Sequence, residues 1–308
     1  MVLSLSACGS KKDDGTYTIG ICQLVQHEAL DAATKGFQDA LKEKLGDKVK
    51  FDVQNASGET TNCTTITSKF VSDKVDLIMA NATDALSAAS QATDTIPIVA
   101  TSITDYATAL GIDNWTGKTG FNVTGTADLA PLAEQAAMFK ELTPDAKDVG
   151  ILYCSAEKNS KYQADVMIKE LKELGITAKI YTFVDTNDVT SVTQQIVTDK
   201  MDAVFVPTDN TAASNAEAIN NVLEPAKIPV IAGESGICKG CGVATLSISY
   251  YDLGYKTGEM AYEILVNGKD PADMKIEYST ELTKRYYPDR AEKLGLTVPD
   301  TYKTLDAE

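Results

Sequence analysis

One histidine, His27, stands in a chain of 308 residues. A histidine-rich metal site cannot be built from that stock, and no catalytic triad is read around it. Basic residues are also in deficit: 28 Lys and Arg face 44 Asp and Glu, for a net charge of −16 and a pI near 4.5. Binding a nucleic-acid backbone needs a basic surface, so nucleic acid is excluded as a partner. Past the first residues, no run approaches the ~20 apolar residues of a membrane span. Nucleotide-binding G-x-G-x-x-G and P-loop patterns are missing, as is the hydrolase G-x-S-x-G. The one tryptophan, Trp115, lies in a polar loop (Asp113–Gly117) and reads as a surface or hinge packer. No cofactor, metal or catalytic residue is expected.

What the chain does contain, it contains twice. Val71–Ile78 (VSDKVDLI) is followed by Asn81-Ala82-Thr83-Asp84 and an Ala/Ser-rich helix. Val197–Val204 (VTDKMDAV) is followed by Pro207-Thr208-Asp209-Asn210 and another. Each copy runs into an Ile-Pro strand, Ile96–Ala100 and Ile228–Ala232. Upstream, Tyr17–Cys22 parallels Val149–Cys154, and Ala40–Val53 parallels Ile168–Val184. The length leaves room for two domains, each with its own core. The economical reading is a duplicated β-α-β-α-β-α-β unit, an α/β fold of two Rossmann-like lobes with parallel sheets and a multi-stranded hinge.

Periodicity and caps place the elements. Helices are expected at Ala29–Leu45, ended by Gly46, and at Thr60–Ser72, Pro131–Leu142, Gln163–Leu174, Val189–Thr198 and Ala212–Val222. Further helices fall at Tyr251–Asn267, returning to lobe one, and Pro288–Leu294. Lys275–Tyr287 reads as an extended pair and Gly233–Gly242 as a Gly-rich loop. Gly120–Thr124 and Val243–Ser249 lead into crossovers between lobes. Residues 17–124 and 250–274 are assigned to lobe one, 125–249 and 275–308 to lobe two. Residues 1–16 are the tail of a signal peptide and a tether. Within them Leu5-Ser6-Ala7-Cys8 fits the lipobox of bacterial lipoproteins, in which a peptidase cuts before Cys8 and its thiol takes a diacylglycerol.

Six motifs after Cys8 carry a family resemblance: Gln26–Asp31 (QHEALD), Gln54-Asn55-Ala56, Asn122–Gly125 (NVTG), Glu157–Ser160 (EKNS), Pro207–Asn210 (PTDN) and Tyr250–Gly254 (YYDLG). With them the chain resembles the substrate-binding lipoproteins of ABC importers, in the subfamily associated with tryptophan, tyrosine and phenylalanine. The resemblance implies the type I periplasmic-binding-protein fold and a monomer, exported and lipid-anchored at the outer face of the cytoplasmic membrane or in the periplasm. It also implies delivery of a small amino acid, aromatic by family, to an ABC permease. Two positions depart from the pattern: the family commonly has Pro where Glu28 and Tyr106 stand.

A free amino acid is a zwitterion, and burying it requires partners for both charges. In an open α/β sheet those partners gather where strand ends meet helix N-termini. Lobe one offers Gln26, His27, Thr83, Asp84 and Ser102; lobe two offers Asn159, Ser160, Asp209, Asn210 and Glu234. The carboxylate is assigned to Thr83, Ser102 and their helix N-termini, the ammonium to Asp209 with Glu234 behind it. Helix capping is the local alternative for Thr83, Asn159 and Asp209. Of Tyr250 and Tyr251, one reaches the ligand and the other packs. Cys238 and Cys241 form a C-x-x-C for which a local disulfide is expected, with free thiols as the alternative. Competing functions are a sugar- or nucleoside-binding lipoprotein of the same fold, a two-lobed regulator and a Cys238/Cys241 oxidoreductase. The lipobox and the missing DNA-binding helix-turn-helix oppose the regulator.

Overall fold

The computed structural model describes residues 15–279 and 281–305. The Leu5–Cys8 lipobox lies outside the described residues. Each half opens with the same alternation. The first contains β1 (Tyr17–Gln23), α1 (Glu28–Leu45), β2 (Val49–Asn55), α2 (Thr60–Ser72), β3 (Leu77–Asn81), α3 (Thr83–Ala92), β4 (Ile98–Ile103), α4 (Tyr106–Leu110) and β5 (Val123–Ala127). The second contains α5 (Leu132–Leu142), β6 (Asp148–Cys154), α6 (Lys158–Glu173), β7 (Thr177–Phe183), α7 (Val189–Thr198), β8 (Ala203–Val206), α8 (Asn210–Ser214), α9 (Ala216–Leu223), β9 (Val230–Ala232), α10 (Ser235–Gly240) and β10 (Ala244–Ser247). The chain closes with α11 (Tyr250–Leu265), β11 (Glu277–Tyr278), β12 (Thr283–Tyr286), α12 (Pro288–Leu294) and β13 (Lys303–Thr304).

The sheets are ordered β11-β5-β4-β3-β1-β2 and β13-β12-β10-β9-β8-β6-β7. Their shared cores, β2-β1-β3-β4-β5 and β7-β6-β8-β9-β10, have one strand order, so the duplication read in the sequence is a duplication of topology. All pairings are parallel except β10 with β12. Parallel strands are covered on both faces, which is why β3 and β8 are apolar runs buried throughout. In this order the direction of winding reverses between β1 and β3, and between β6 and β8. A crevice forms outside those strand ends.

The chain passes between the sheets after β5, after β10 and after β11. Glu277 and Tyr278 pair with Thr126 and Ala127 in the first sheet, while Thr283–Tyr286 pairs with Ala244–Ser247 in the second. The segment read as one extended pair is therefore split between lobes. Residues 125–127 and 277–278 belong to the first sheet rather than the second lobe, because the main-chain ladder of β5 continues through them. Helix α11 returns to lobe one and packs along α1. The seam is close: a Cβ on Gly254 would collide with the Ala33 carbonyl, and one on Gly36 with that of Tyr251.

Two other expectations change. The helix expected over Ala212–Val222 is broken at Asn215, whose amide Nδ2 bonds to the Thr211 carbonyl at 2.8 Å. Gly233–Gly242 is not a loop, since Ser235–Gly240 is helical. The Glu234 carboxylate caps its start, accepting from the Gly236 N–H at 2.6 Å and from the Ile237 N–H. Arg290, buried from α12, closes its end by donating to the carbonyls of Cys238 at 2.9 Å and Lys239 at 3.1 Å. Cys238 and Cys241 are buried free thiols, so the expected disulfide is absent. Their burial pushes both thiols above the ordinary thiol range, Cys241 to about 12. Protonated and enclosed, they lack the exposed thiolate of a surface oxidoreductase. No described helix is long and apolar enough to cross a membrane.

Candidate ligand-binding cleft

Between the lobes, at the ends of the strands, His27, Leu30, Ser102, Thr104, Asp128, Asn159, Thr208, Asp209, Asn210, Ala213, Glu234 and Tyr250 face a common space. The lobes are drawn together over it. His27 Nε2 lies 3.2 Å from Asn210 Oδ1, Thr104 Oγ1 lies 3.3 Å from Thr208 Oγ1, and Lys239 pairs with Glu28 at 2.6 Å. The residual space is about 10 Å³, room for one water. A larger guest enters only when the lobes part.

Lobe two presents carboxylates that its own backbone holds. Asp209 ends the β8 segment as the N-cap of α8, with Oδ1 accepting from the Ala212 N–H at 2.7 Å. Its Oδ2 accepts from the Cys154 N–H and from Ser160 Oγ, both at 2.7 Å. Beside it, buried Glu157 accepts from the N–H groups of Asn210 at 3.0 Å and Thr211 at 2.8 Å. Burial and the nearby Glu157 charge push the Asp209 carboxyl up to about 8. Glu234 is raised too, mainly by burial, as α10's cap. Asn159 donates to the Thr208 carbonyl at 2.9 Å, and Gln163 to Thr208 Oγ1 at 2.6 Å.

Lobe one presents hydroxyls and the His27 ring, and two of their buried atoms have no partner. Ser102 lies at the irregular end of β4, where the register with β5 shifts, and its φ of 57° is in the left-handed region. A non-glycine residue held there is strained, a condition concentrated at functional sites. Its buried Oγ has no hydrogen-bond partner, and neither has His27 Nδ1. Both belong to residues lining the cleft, and buried polar atoms are seldom left so.

Asp128 stands on the crossover after β5, buried, with Tyr250 Oη donating to Oδ2 at 2.8 Å and Thr104 Oγ1 to Oδ1 at 3.2 Å. Burial raises its carboxyl above the usual range, against the effect of those two hydroxyls. The cleft thus gathers three buried carboxylates, Asp128, Asp209 and Glu234, and none of the described residues lining it is Lys or Arg.

Of the residues expected from sequence, His27, Ser102, Asn159, Asp209, Asn210, Glu234 and Tyr250 meet at this space. Ser160 stands one layer back, holding Asp209. Thr83 is buried at the start of α3 and does not line the cavity; Asp84 and Asn210 line a neighbouring chamber. Gln26 is exposed and lines none of the described cavities. Tyr251 packs outside, against Asp39 and Lys35. Asp128, Thr104 and Gln163 were not singled out by sequence. The available signal was that Asp128 is the one acidic residue of the first crossover, Asp128–Pro131.

Residues 18–307 match the ABC transporter substrate binding protein family. The chain belongs to this family of ABC transporter substrate-binding proteins. It is 40% identical over 261 residues to the tyrosine-binding protein of Clostridioides difficile, covering 84% of this chain and 75% of that one. Its fold matches a Streptococcus pneumoniae domain solved with L-Trp, with a TM-score of 0.88, 32% identity and coverage of 93% and 97%. A ligand-free, open Clostridium difficile substrate-binding protein is 36% identical over 95% and 100% of the chains, yet gives a TM-score of 0.72. The more similar sequence gives the less similar shape, so this substrate-binding protein has its lobes in an arrangement nearer to the ligand-bound one. Lower-identity neighbours such as a leucine-binding protein of Thermotoga maritima, at 16% and a TM-score of 0.65, share the fold alone.

Proposed function

We propose that this substrate-binding protein is an extracytoplasmic receptor that closes on an aromatic amino acid and hands it to an ABC permease, acting by binding and release rather than catalysis. The observation that carries the reading is the wall of Asp128, Asp209 and Glu234 with no Lys or Arg among the described residues lining it. Such a wall is costly to ionise unless a cation enters, and an α-ammonium is such a cation. Asp128 is the principal partner: its side-chain donors are two hydroxyls, which rotate, whereas Asp209 and Glu234 are each fixed by the N–H groups of two other residues. This moves the ammonium from Asp209, the sequence assignment, to the hinge. Ser102 Oγ and the His27 ring serve the carboxylate, with Asn159 and Asn210 closing over it. The relatives' tyrosine and tryptophan supply the aromatic class. Anchoring through a lipid on Cys8 and action as a monomer complete the proposal.

Titration calorimetry with L-tyrosine, L-tryptophan and L-phenylalanine, and with a neutral monosaccharide, tests it. Binding of at least one aromatic amino acid and silence with the sugar are expected. Binding of the sugar alone would replace the reading with its alternative.

A further inference from the structure

Asn210 stands on the boundary between the inner cleft and a second chamber of about 370 Å³. Both lobes wall it. Leu24 and Val25, just after β1, and Val184, just after β7, give it apolar surface. Val184 is 63% exposed, an apolar side chain left uncovered on that wall. The charged residues lining the chamber are all acidic: Glu59, Asp84, Glu157 and Asp185. Glu157 is engaged by N–H groups, as described above. Asp84 is half-buried at the start of α3, and Thr60 Oγ1 donates to its Oδ2 at 2.6 Å. Burial raises its carboxyl, which leaves an acceptor that gains from a further donor.

We propose that this chamber seats the ligand's side chain and that Asp84 selects an aromatic ring with a hydrogen-bond donor on its far edge, a phenol or an indole, over a bare phenyl. The inference rests on the amino-acid reading above and names the substrate within it. The apolar walls take the ring, and the acceptors take the O–H or N–H. A phenyl ring brings apolar surface but desolvates Asp84 without a donor. Sites built around such a bond discriminate against analogues that lack it.

The test is a ligand series on the wild-type protein, followed by two variants. L-tyrosine is expected to bind at least about tenfold tighter than L-phenylalanine and O-methyl-L-tyrosine, the loss of one hydrogen bond to a charged acceptor. In Asp84→Ala the tyrosine affinity falls about tenfold while phenylalanine stays within about twofold; Asp84→Asn, which keeps an acceptor, falls between. Equal affinities for tyrosine and phenylalanine in the wild type would overturn the proposal, as would an equal loss for both in Asp84→Ala. Preference for lysine or arginine would overturn it by showing that the acidic wall takes a cation. If no aromatic amino acid binds at all, the receptor reading falls first and this one with it. The wild-type series needs no variant to fold.

Discussion

The two lobes share one strand order but bring opposite kinds of side chain to the cleft. Lobe two brings acids that are already engaged: Asp209 and Glu234 cap α8 and α10, and Glu157 gathers the N–H groups at the start of α8. Lobe one brings polar atoms still open, Ser102 Oγ and His27 Nδ1. A carboxylate fixed by several N–H donors is rigid before any ligand arrives, while an orphaned hydroxyl is a cost that a ligand removes. Duplication therefore copied the scaffold and left the chemistry to diverge. Lobe two is preorganised for charge, and lobe one waits for a hydrogen-bonding guest.

The largest effect is expected where the lobes join. Asp128→Asn removes the charge partner on the crossover, and loss of one member of a buried pair costs about 2–5 kcal/mol, roughly 30- to 4000-fold in affinity. Calorimetry that finds wild-type affinity would return the ammonium to Asp209 or Glu234 and make lobe two the whole charge site.

A pair of variants then separates the lobes. Asp209→Asn is not the benign cap exchange that helix capping alone implies. With the amide oxygen on Ala212 N–H, the amide NH₂ faces the Cys154 N–H, leaving a buried donor unsatisfied at about 1–3 kcal/mol. Thermal unfolding of the ligand-free variant should show a fall of several degrees. Ser102→Ala removes a hydroxyl with no partner, so the ligand-free protein keeps its melting temperature while affinity drops about three- to tenfold. If both variants move the same observable, the division between rigid and waiting lobes is wrong.

The smallest effect concerns pH. Asp128, Glu234 and Asp209 have folded-state carboxyls raised above their unfolded values, Asp209 to about 8. A raised carboxyl contributes stability that is fully present below about pH 4 and is lost as pH rises through about 8. The ligand-free melting temperature should therefore decline over that window. The rise in melting temperature caused by ligand should grow across it, because an ammonium then balances the ionised wall. A ligand-free melting temperature that climbs toward pH 8 would contradict the burial of these acids.

Elements with local signals were legible in the sequence. Thr60–Ser72, Val189–Thr198 and Pro288–Leu294 have the bounds that period and caps indicate. The strand ends were legible because the chain states them twice. What escaped depends on distant partners. Helix α10 looks like a loop until Arg290, some 50 residues away, satisfies its last carbonyls. The split of β11 from β12 depends on which sheet edge each meets. Asp128 has no motif, and its role comes from Tyr250, brought to it by the start of α11. The exposed position of Gln26 follows from the turn into α1, which spacing alone does not set.

The lone tryptophan has a use that its distance from the cleft conceals. Trp115 stacks on Tyr106 with ring centroids 6.4 Å apart and planes 14° from parallel. The Tyr106 hydroxyl donates to the carbonyls of Ala100 at 2.9 Å and Thr126 at 3.1 Å, beside Gly125, whose φ of 147° and lack of a Cβ admit it. Those carbonyls belong to the strands that run into Ser102 and Asp128. With tyrosine as the guest, all indole emission from the protein comes from one ring seated behind the site. Native fluorescence is then a label-free gauge wired to a single known place, and a dye is unnecessary for following the lobes in time.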